Sequence, residues 1–323
     1  MRLALVSALL LVACRPATPA AAPEAGESPA EPLALASVRG PDGPVTTESF
    51  VEAVVAADMI CVGEQHDDAG HHQVQHALLQ RLVQRSGKAL ALGLEMVQRP
   101  WQGILDDYSR GDLDEARLAE VLEWRARWGF DFAMYEPLFH TAHEHGVRIL
   151  ALNAPKELTR AVARMGLEHL PPDVQESLPE LDLKDERHRR FFWAAMGFGE
   201  HGGSPHGGPH ASPHHGSPHG MHGTGERFYA AQVIWDETMA EGAAAWLDDA
   251  RQQVMVIAGN GHCHQSAIPS RVARRKPDAT TLSVLLQSGD TPLPPHATSD
   301  FVVGLPGEGH ERDQSEDPTM ALR

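Results

Sequence analysis

Cysteine is scarce in this chain: Cys14, Cys61 and Cys263 are the only three in 323 residues. That is too few for a disulfide framework, and they lack the clustered spacing of a zinc site. No His-Glu-x-x-His motif is present either, so spacing alone identifies no metal. A basic stripe is missing as well: 27 Lys and Arg stand against 44 Asp and Glu, a formal charge of −17. This balance argues against a phosphate-neutralising face and so against nucleic acid as a partner. The apolar run Leu3 to Ala13 is too short to span a bilayer as a helix. Tyrosine is rare, at positions 108, 135 and 229 only. What the chain does have is a hydrophobic content of 42%, ample for a core, and a single large domain is expected.

The N-terminus reads as a signal to be removed: Arg2, an apolar stretch, then Leu11-Val12-Ala13-Cys14. This tetrapeptide resembles the lipobox of bacterial lipoproteins, in which the cysteine is acylated and becomes the new first residue. Arg15 at the following position is expected to direct such a protein to the outer membrane. Residues 15–44 are rich in Pro, Ala and Glu near their start and read as a flexible tether. With Cys14 acylated, Cys61 and Cys263 read as two small buried hydrophobes. A bond between them is open only if their strands are neighbours in an oxidising compartment.

From Met59 the pattern alternates. Apolar runs at 58–62, 89–94, 147–152, 254–258, 281–286 and 301–303 read as strands, separated by helical periodicity over 71–85, 101–108, 113–124, 135–145, 184–196 and 227–249. Another helix begins at Asn153 and Pro155 and ends near Gly166. Asp112 with Glu115 looks like a capping box for the helix from Leu113. Such alternation implies right-handed crossovers and an α/β fold, a mostly parallel sheet with helices on both faces. One segment breaks the order: Glu200 to Gly223 is His, Gly, Pro and Ser almost throughout, with seven histidines. It reads as a disordered loop with affinity for Zn, Ni, Cu or haem iron, and a metal-buffering role follows as one option. A disordered tail is expected over 305–323.

In open parallel sheets ligands bind beyond the carboxyl ends of the strands. Gly63-Glu64-Gln65-His66 and Gly259-Asn260-Gly261-His262 each follow a strand, while Glu95 and Asn153 close two others. Five polar side chains therefore converge on one edge. His66 and His262, with Glu95, suit a borderline divalent cation such as Mn, Co or Zn, and a remaining carboxylate, Glu64 or Glu95, would act as general base with Asn153 orienting. Read instead as helix caps, Glu95 and Asn153 carry no chemistry. His71, His72 and His76 open the first helix after Glu64; they read as a solvated face, or as a flank for a metal or a planar cofactor. Tyr135 follows the aromatic stretch Trp124 to Phe132, a setting in which a tyrosine could ligate ferric haem, while core packing explains the same aromatics without a cofactor.

Taken in order, Gly-Glu-Gln-His at 63–66, Leu-Gly-Leu-Glu-Met at 92–96, Trp128 with Tyr135-Glu136-Pro137-Leu138, Ala-Leu-Asn-Ala-Pro at 151–155, Trp-Asp-Glu-Thr-Met-Ala at 235–240 and Ala-Gly-Asn-Gly-His at 258–262 resemble the ChaN-like family of haem-binding lipoproteins. That family lies in a superfamily with Tiki, TraB and erythromycin-esterase proteins. The resemblance implies an α/β fold, a lipid-anchored body on the periplasmic side, and haem or iron uptake with a tyrosine ligating haem at a homodimer interface. Motif context makes Tyr135 that tyrosine. The Tiki branch implies metal-dependent proteolysis through paired Gly-x-x-His motifs and an acid, matched here by His66, His262 and Glu95. The His-rich loop departs from the family pattern.

Overall fold

The computed structural model describes Leu33 and residues 35–196 and 218–306. The signal with Cys14, residues 200–217 of the His-rich stretch and the tail beyond 306 lie outside the described residues. In chain order the elements are β1 Ser37–Gly40, β2 Gly43–Pro44, α1 Thr47–Ala56, β3 Met59–Glu64, α2 Ala69–Arg85, β4 Ala89–Gln98, α3 Gln102–Ser109, α4 Glu115–Val121, α5 Trp124–Arg127 and α6 Glu136–Glu144. Then follow β5 Arg148–Asn153, α7 Lys156–Met165, α8 Pro172–Glu176, α9 Glu186–Ala195, α10 Pro218–Trp246, β6 Gln252–Gly259, α11 Asn260–Cys263, α12 Ile268–Arg275, β7 Thr281–Ser288 and β8 Phe301–Leu305.

The strands form one sheet in the order β2-β1-β8-β7-β3-β6-β4-β5. All pairings from β8 to β5 are parallel, and β1 pairs antiparallel with both β2 and β8. Period-2 alternation sends neighbouring side chains to opposite faces. Ile60 and Val62 join Phe50, Leu78, Leu82 and Phe139 under α1, α2 and α6, whereas Met59 and Cys61 join Met239, Ala240, Ile268 and Val272 under α10 and α12. Both faces are therefore covered, as a parallel sheet requires. The outer edge of β5 is closed by one side chain: the Gln102 amide donates to Ile149 O at 2.9 Å and accepts from Ala151 N at 2.7 Å. Among the described residues no helix is long and apolar enough to cross a membrane.

Three local expectations change. Residues 37–44, within the stretch read as tether, form the hairpin that extends the sheet beside β8; four- and two-residue strands rich in Gly and Pro leave no readable alternation. Asp114, not Asp112, caps α4, accepting from Ala116 N. Cys61 and Cys263 are bonded to each other, with Cα atoms 5.2 Å apart. β3 and β6 are immediate neighbours, and the turn after β6 brings Cys263 back over β3.

Candidate functional site

The two Gly-x-x-His motifs interlock because each glycine makes room for the other motif. A Cβ on Gly63 would collide with Asn260 Oδ1 and come within 3.1 Å of its Cα. Asn260 cannot yield, since its amide is bonded both ways to the β7 backbone, donating to Leu286 O at 2.9 Å and accepting from Leu286 N at 3.3 Å. A Cβ on Gly259 would in turn sit 3.0 Å from His66 Cε1. Gly63→Ala is expected to cost about 1–3 kcal/mol through overpacking, measured by urea unfolding. Gly261→Ala, whose Cβ would meet only Phe191 at 3.9 Å, is the near-neutral control.

Each motif histidine is backed by a buried carboxylate. His66 Nδ1 lies 2.8 Å from Glu64 Oε1; an ionised carboxylate only accepts, so Nδ1 carries the hydrogen and Nε2 is left beside Gly259. Glu64 also accepts from the Tyr135 hydroxyl at 2.7 Å and from Gln75 Nε2 at 2.8 Å. Tyr135 itself accepts from Trp128 Nε1 at 3.2 Å. Burial opposes the Glu64 charge, but the His66 hydrogen bond, the charges of His72 and His66, and the Tyr135 bond outweigh it and hold the carboxyl below its ordinary range. For His66 the balance runs the other way: burial is outweighed by Glu64 and Glu95, and its pKa rises. The ring packs against Trp128 and Phe130 at 4.7 and 5.0 Å.

Across the cavity His262 Nδ1 is 2.6 Å from Asp236 Oδ1, and its Nε2 is 3.4 Å from Glu95 Oε1. Burial opposes the imidazolium, but Glu95 and Asp236 together push His262 up to about 9. Asp236 is fully buried on α10 and held far below the usual carboxylate range, the charge and hydrogen bond of His262 and the hydrogen bond of His188 overcoming burial. His188 Nε2 lies 2.9 Å from Asp236 Oδ2, while Arg271 Nη2, which can only donate, lies 3.2 Å from His188 Nδ1. His188 is thereby fixed with its hydrogen on Nε2, donating to Asp236. Glu95 sits where the β4–β5 register shifts, between Leu94 and Gln98. Its Oε2 accepts from Gly259 N at 2.7 Å, and Asn153 Nδ2 holds its carbonyl at 2.8 Å.

A cavity of about 380 Å³ opens at this edge, within the size range of small-molecule sites. Glu64, His66, Gln232 and His262 form its polar floor, and Phe191 and Phe192 of α9 with Leu286 and Leu293 its apolar wall. Of the residues the sequence points to, Glu64, His66, Glu95 and His262 do meet here, and Asn153 braces Glu95 from behind. Tyr135, His71 and His72 are buried beneath the 63–66 turn. His71 Nδ1 accepts from Gln65 N at 2.8 Å, and His72 Nε2 donates to His66 O at 3.2 Å. Those two histidines are therefore not a solvated face; they brace the turn that carries His66. Sequence reasoning missed Asp236, His188 and Gln232. The one signal was charge on the Trp235-Asp236-Glu237 stretch of an otherwise apolar helix, with Gln232 and Asp236 one turn apart.

Among the described residues no three of His, Cys, Asp and Glu form a ready metal cage. All three tyrosines are buried, and burial with the neighbouring Glu64 raises Tyr135 above its ordinary pKa, so a phenolate is disfavoured there. The donors nearest the cavity are the two imidazoles.

The fold is similar to that in a structure of cofacial haem binding to ChaN of Campylobacter jejuni, with a TM-score of 0.62 and 17% identity over 83% of this chain and 95% of that one. Weaker likenesses reach the erythromycin esterase EreC, at a TM-score of 0.45 and 13% identity over 83% and 82% of the two chains. The type III effector HopBA1 follows at 0.43 and 13%, over 80% and 93%. No curated protein sequence matches the chain. The sequence profile described as haem-binding uptake, Tiki superfamily, ChaN matches residues 50–272. Interlocked Gly-x-x-His turns at the carboxyl edge of a parallel sheet are thus carried by a chain that belongs to the ChaN family of haem-binding uptake proteins, within the Tiki superfamily.

Proposed function

We propose that this protein binds haem at the strand-edge cavity and serves haem or iron uptake from the cell envelope, tethered through Cys14 as a lipoprotein. Membership of a haem-binding family carries this reading. The cavity supports it with an apolar wall and an imidazole suited to iron: Glu64 on Nδ1 orients the His66 ring and makes it more basic, as carboxylate partners do for metal-binding histidines. Bound haem would supply an iron centre coordinated through His66 Nε2. Phe191, Phe192 and Leu286 would exclude water from its face, and Trp128 and Phe130 fix the ring plane of His66. The buried Cys61–Cys263 bond suits an oxidising compartment, which agrees with the lipobox.

Purified protein lacking residues 1–14 is expected to take up hemin saturably with a distinct Soret band. Absence of saturable binding, also at concentrations favouring a dimer, defeats the reading. Cys14→Ser is expected to move the protein from the membrane to the soluble fraction; retention in the membrane contradicts lipid anchoring.

A second reading, metal-dependent hydrolysis of the Tiki type, is favoured by the two carboxylate-backed imidazoles facing one another with Glu95 between them. It requires His66, His262 and Glu95 to close on an ion such as Mn, Co or Zn. Elemental analysis of protein with the His-rich stretch deleted decides it: near-stoichiometric metal lost in both His66→Ala and His262→Ala favours the hydrolase, and no retained metal rejects it.

A further inference from the structure

We propose that the Cys61–Cys263 cystine positions the ligand site, and that the site is fully assembled only in the oxidised chain. Cys263 directly follows His262, and Cys61 stands three residues before Glu64 on β3. The bond therefore ties the carrier of one site histidine to the strand that carries the other carboxylate–histidine pair. Its sequence separation of 202 encloses Glu64, His66, Glu95, Asp236 and His262 in one covalent loop.

The helical turn at Asn260–Cys263 is four residues long and cannot hold itself, since so short a helix leaves nearly all its end groups without internal partners. Three ties fix it. Asn260 is bonded to the β7 backbone at its start. At its end, Ser283 Oγ donates to Cys263 O at 2.6 Å. The cystine is the only covalent tie, and it binds the end of the turn to β3, against which Asn260 packs at the start through Gly63. Without it, the end of the turn rests on the Ser283 hydrogen bond, and His262, still bonded to Asp236 on α10, is held less firmly at its distance from His66.

Both sulfurs are fully buried, so an external dithiol reaches them only when the turn opens. Reduction then proceeds by thiol–disulfide exchange: two electrons pass to the cystine, its S–S bond breaks, two thiols form, and the dithiol becomes a disulfide. Burial makes this slow in the native protein.

The test is hydrogen exchange by mass spectrometry on the wild type and on Cys61→Ala/Cys263→Ala. Residues 260–264 are expected to exchange at least tenfold faster in the variant while β3 and β6 stay protected; unchanged exchange there overturns the proposal. Where both proteins fold by circular dichroism, hemin affinity is expected to drop at least tenfold in the variant, and equal affinity overturns the proposal. This second arm rests on the haem reading, and a wild type that binds no hemin defeats that reading while exchange still decides the positioning role. Should the variant fail to fold, wild type slowly reduced by dithiothreitol in native buffer replaces it. The same loosening is then expected, reversed on reoxidation. Alkylation of Cys61 or Cys263 in unreduced native protein overturns the proposal outright.

Discussion

Asp236→Asn is expected to destabilise the protein by about 3–5 kcal/mol at neutral pH, the range found when one partner of a buried ion pair is removed. Asp236 is completely buried between two imidazoles, accepting from His262 on one oxygen and from His188 on the other. An asparagine keeps the volume but offers one accepting oxygen where two are used, and its amide donor faces a donor. His262 then loses a counter-charge inside the protein, and His188 or His262 is left with an unpaired N–H. Arg271, held against Glu237 and His188, transmits the disturbance to α12. Urea unfolding at pH 7 measures the loss, and a change under 1 kcal/mol contradicts the arrangement.

Stability is expected to peak near pH 6.5 and fall on both sides. His262 keeps its proton to about pH 9 in the fold, against 6.5 without the fold's influence. Between those values the native state binds more protons than the unfolded one, so stability drops as pH rises. Each pH unit is worth about 1.4 kcal/mol, which makes the alkaline loss on the order of 3 kcal/mol. The acid limb has a different origin. Burial pushes His264 down to about 3, and its Nε2 has no hydrogen-bond partner among the described residues. As pH falls below 6.5 the unfolded chain takes up a proton the native one refuses, costing on the order of 5 kcal/mol by pH 3. Below about pH 4 the loss steepens, because Asp236 and Glu64 are depressed in the fold and their stabilising charge is lost. Urea unfolding between pH 4 and 9 checks the profile. Asp236→Asn is expected to flatten the alkaline limb and His264→Gln the acid one; a wild type with a flat profile contradicts both assignments.

The sheet and the edge that carries the site are legible in the sequence, since Ile60, Val62, Leu92, Leu94, Met255 and Ile257 lie in apolar runs ended by Gly, Glu or Asn. Glu64, His66, Glu95 and His262 follow from that edge. What lies behind them does not. Asp236 comes from the interior of α10 and His188 from the first turn of α9, and their meeting depends on how α9 and α10 dock rather than on any local spacing. The cystine depends on strand order: Cys61 and Cys263 meet because β6 inserts between β3 and β4, an arrangement no periodicity encodes. His71 and His72 show the same limit from the other side. Their helical spacing resembles a solvated face, yet α2 turns them inward, where hydrogen bonds to Gln65 and His66 satisfy them. Tyr135 stands among aromatics as a haem ligand would, and what distinguishes its role is the Glu64 carboxylate 71 residues away.

Resonance Raman spectroscopy of the ferric haem complex of wild type, His66→Ala and Tyr135→Phe tests the haem site most directly. Imidazole-ligated iron is expected in wild type and in Tyr135→Phe, with that ligation lost in His66→Ala. An iron–phenolate vibration in wild type that vanishes in Tyr135→Phe and survives in His66→Ala would contradict it, and would require the Tyr135 hydroxyl to leave Glu64 when haem binds.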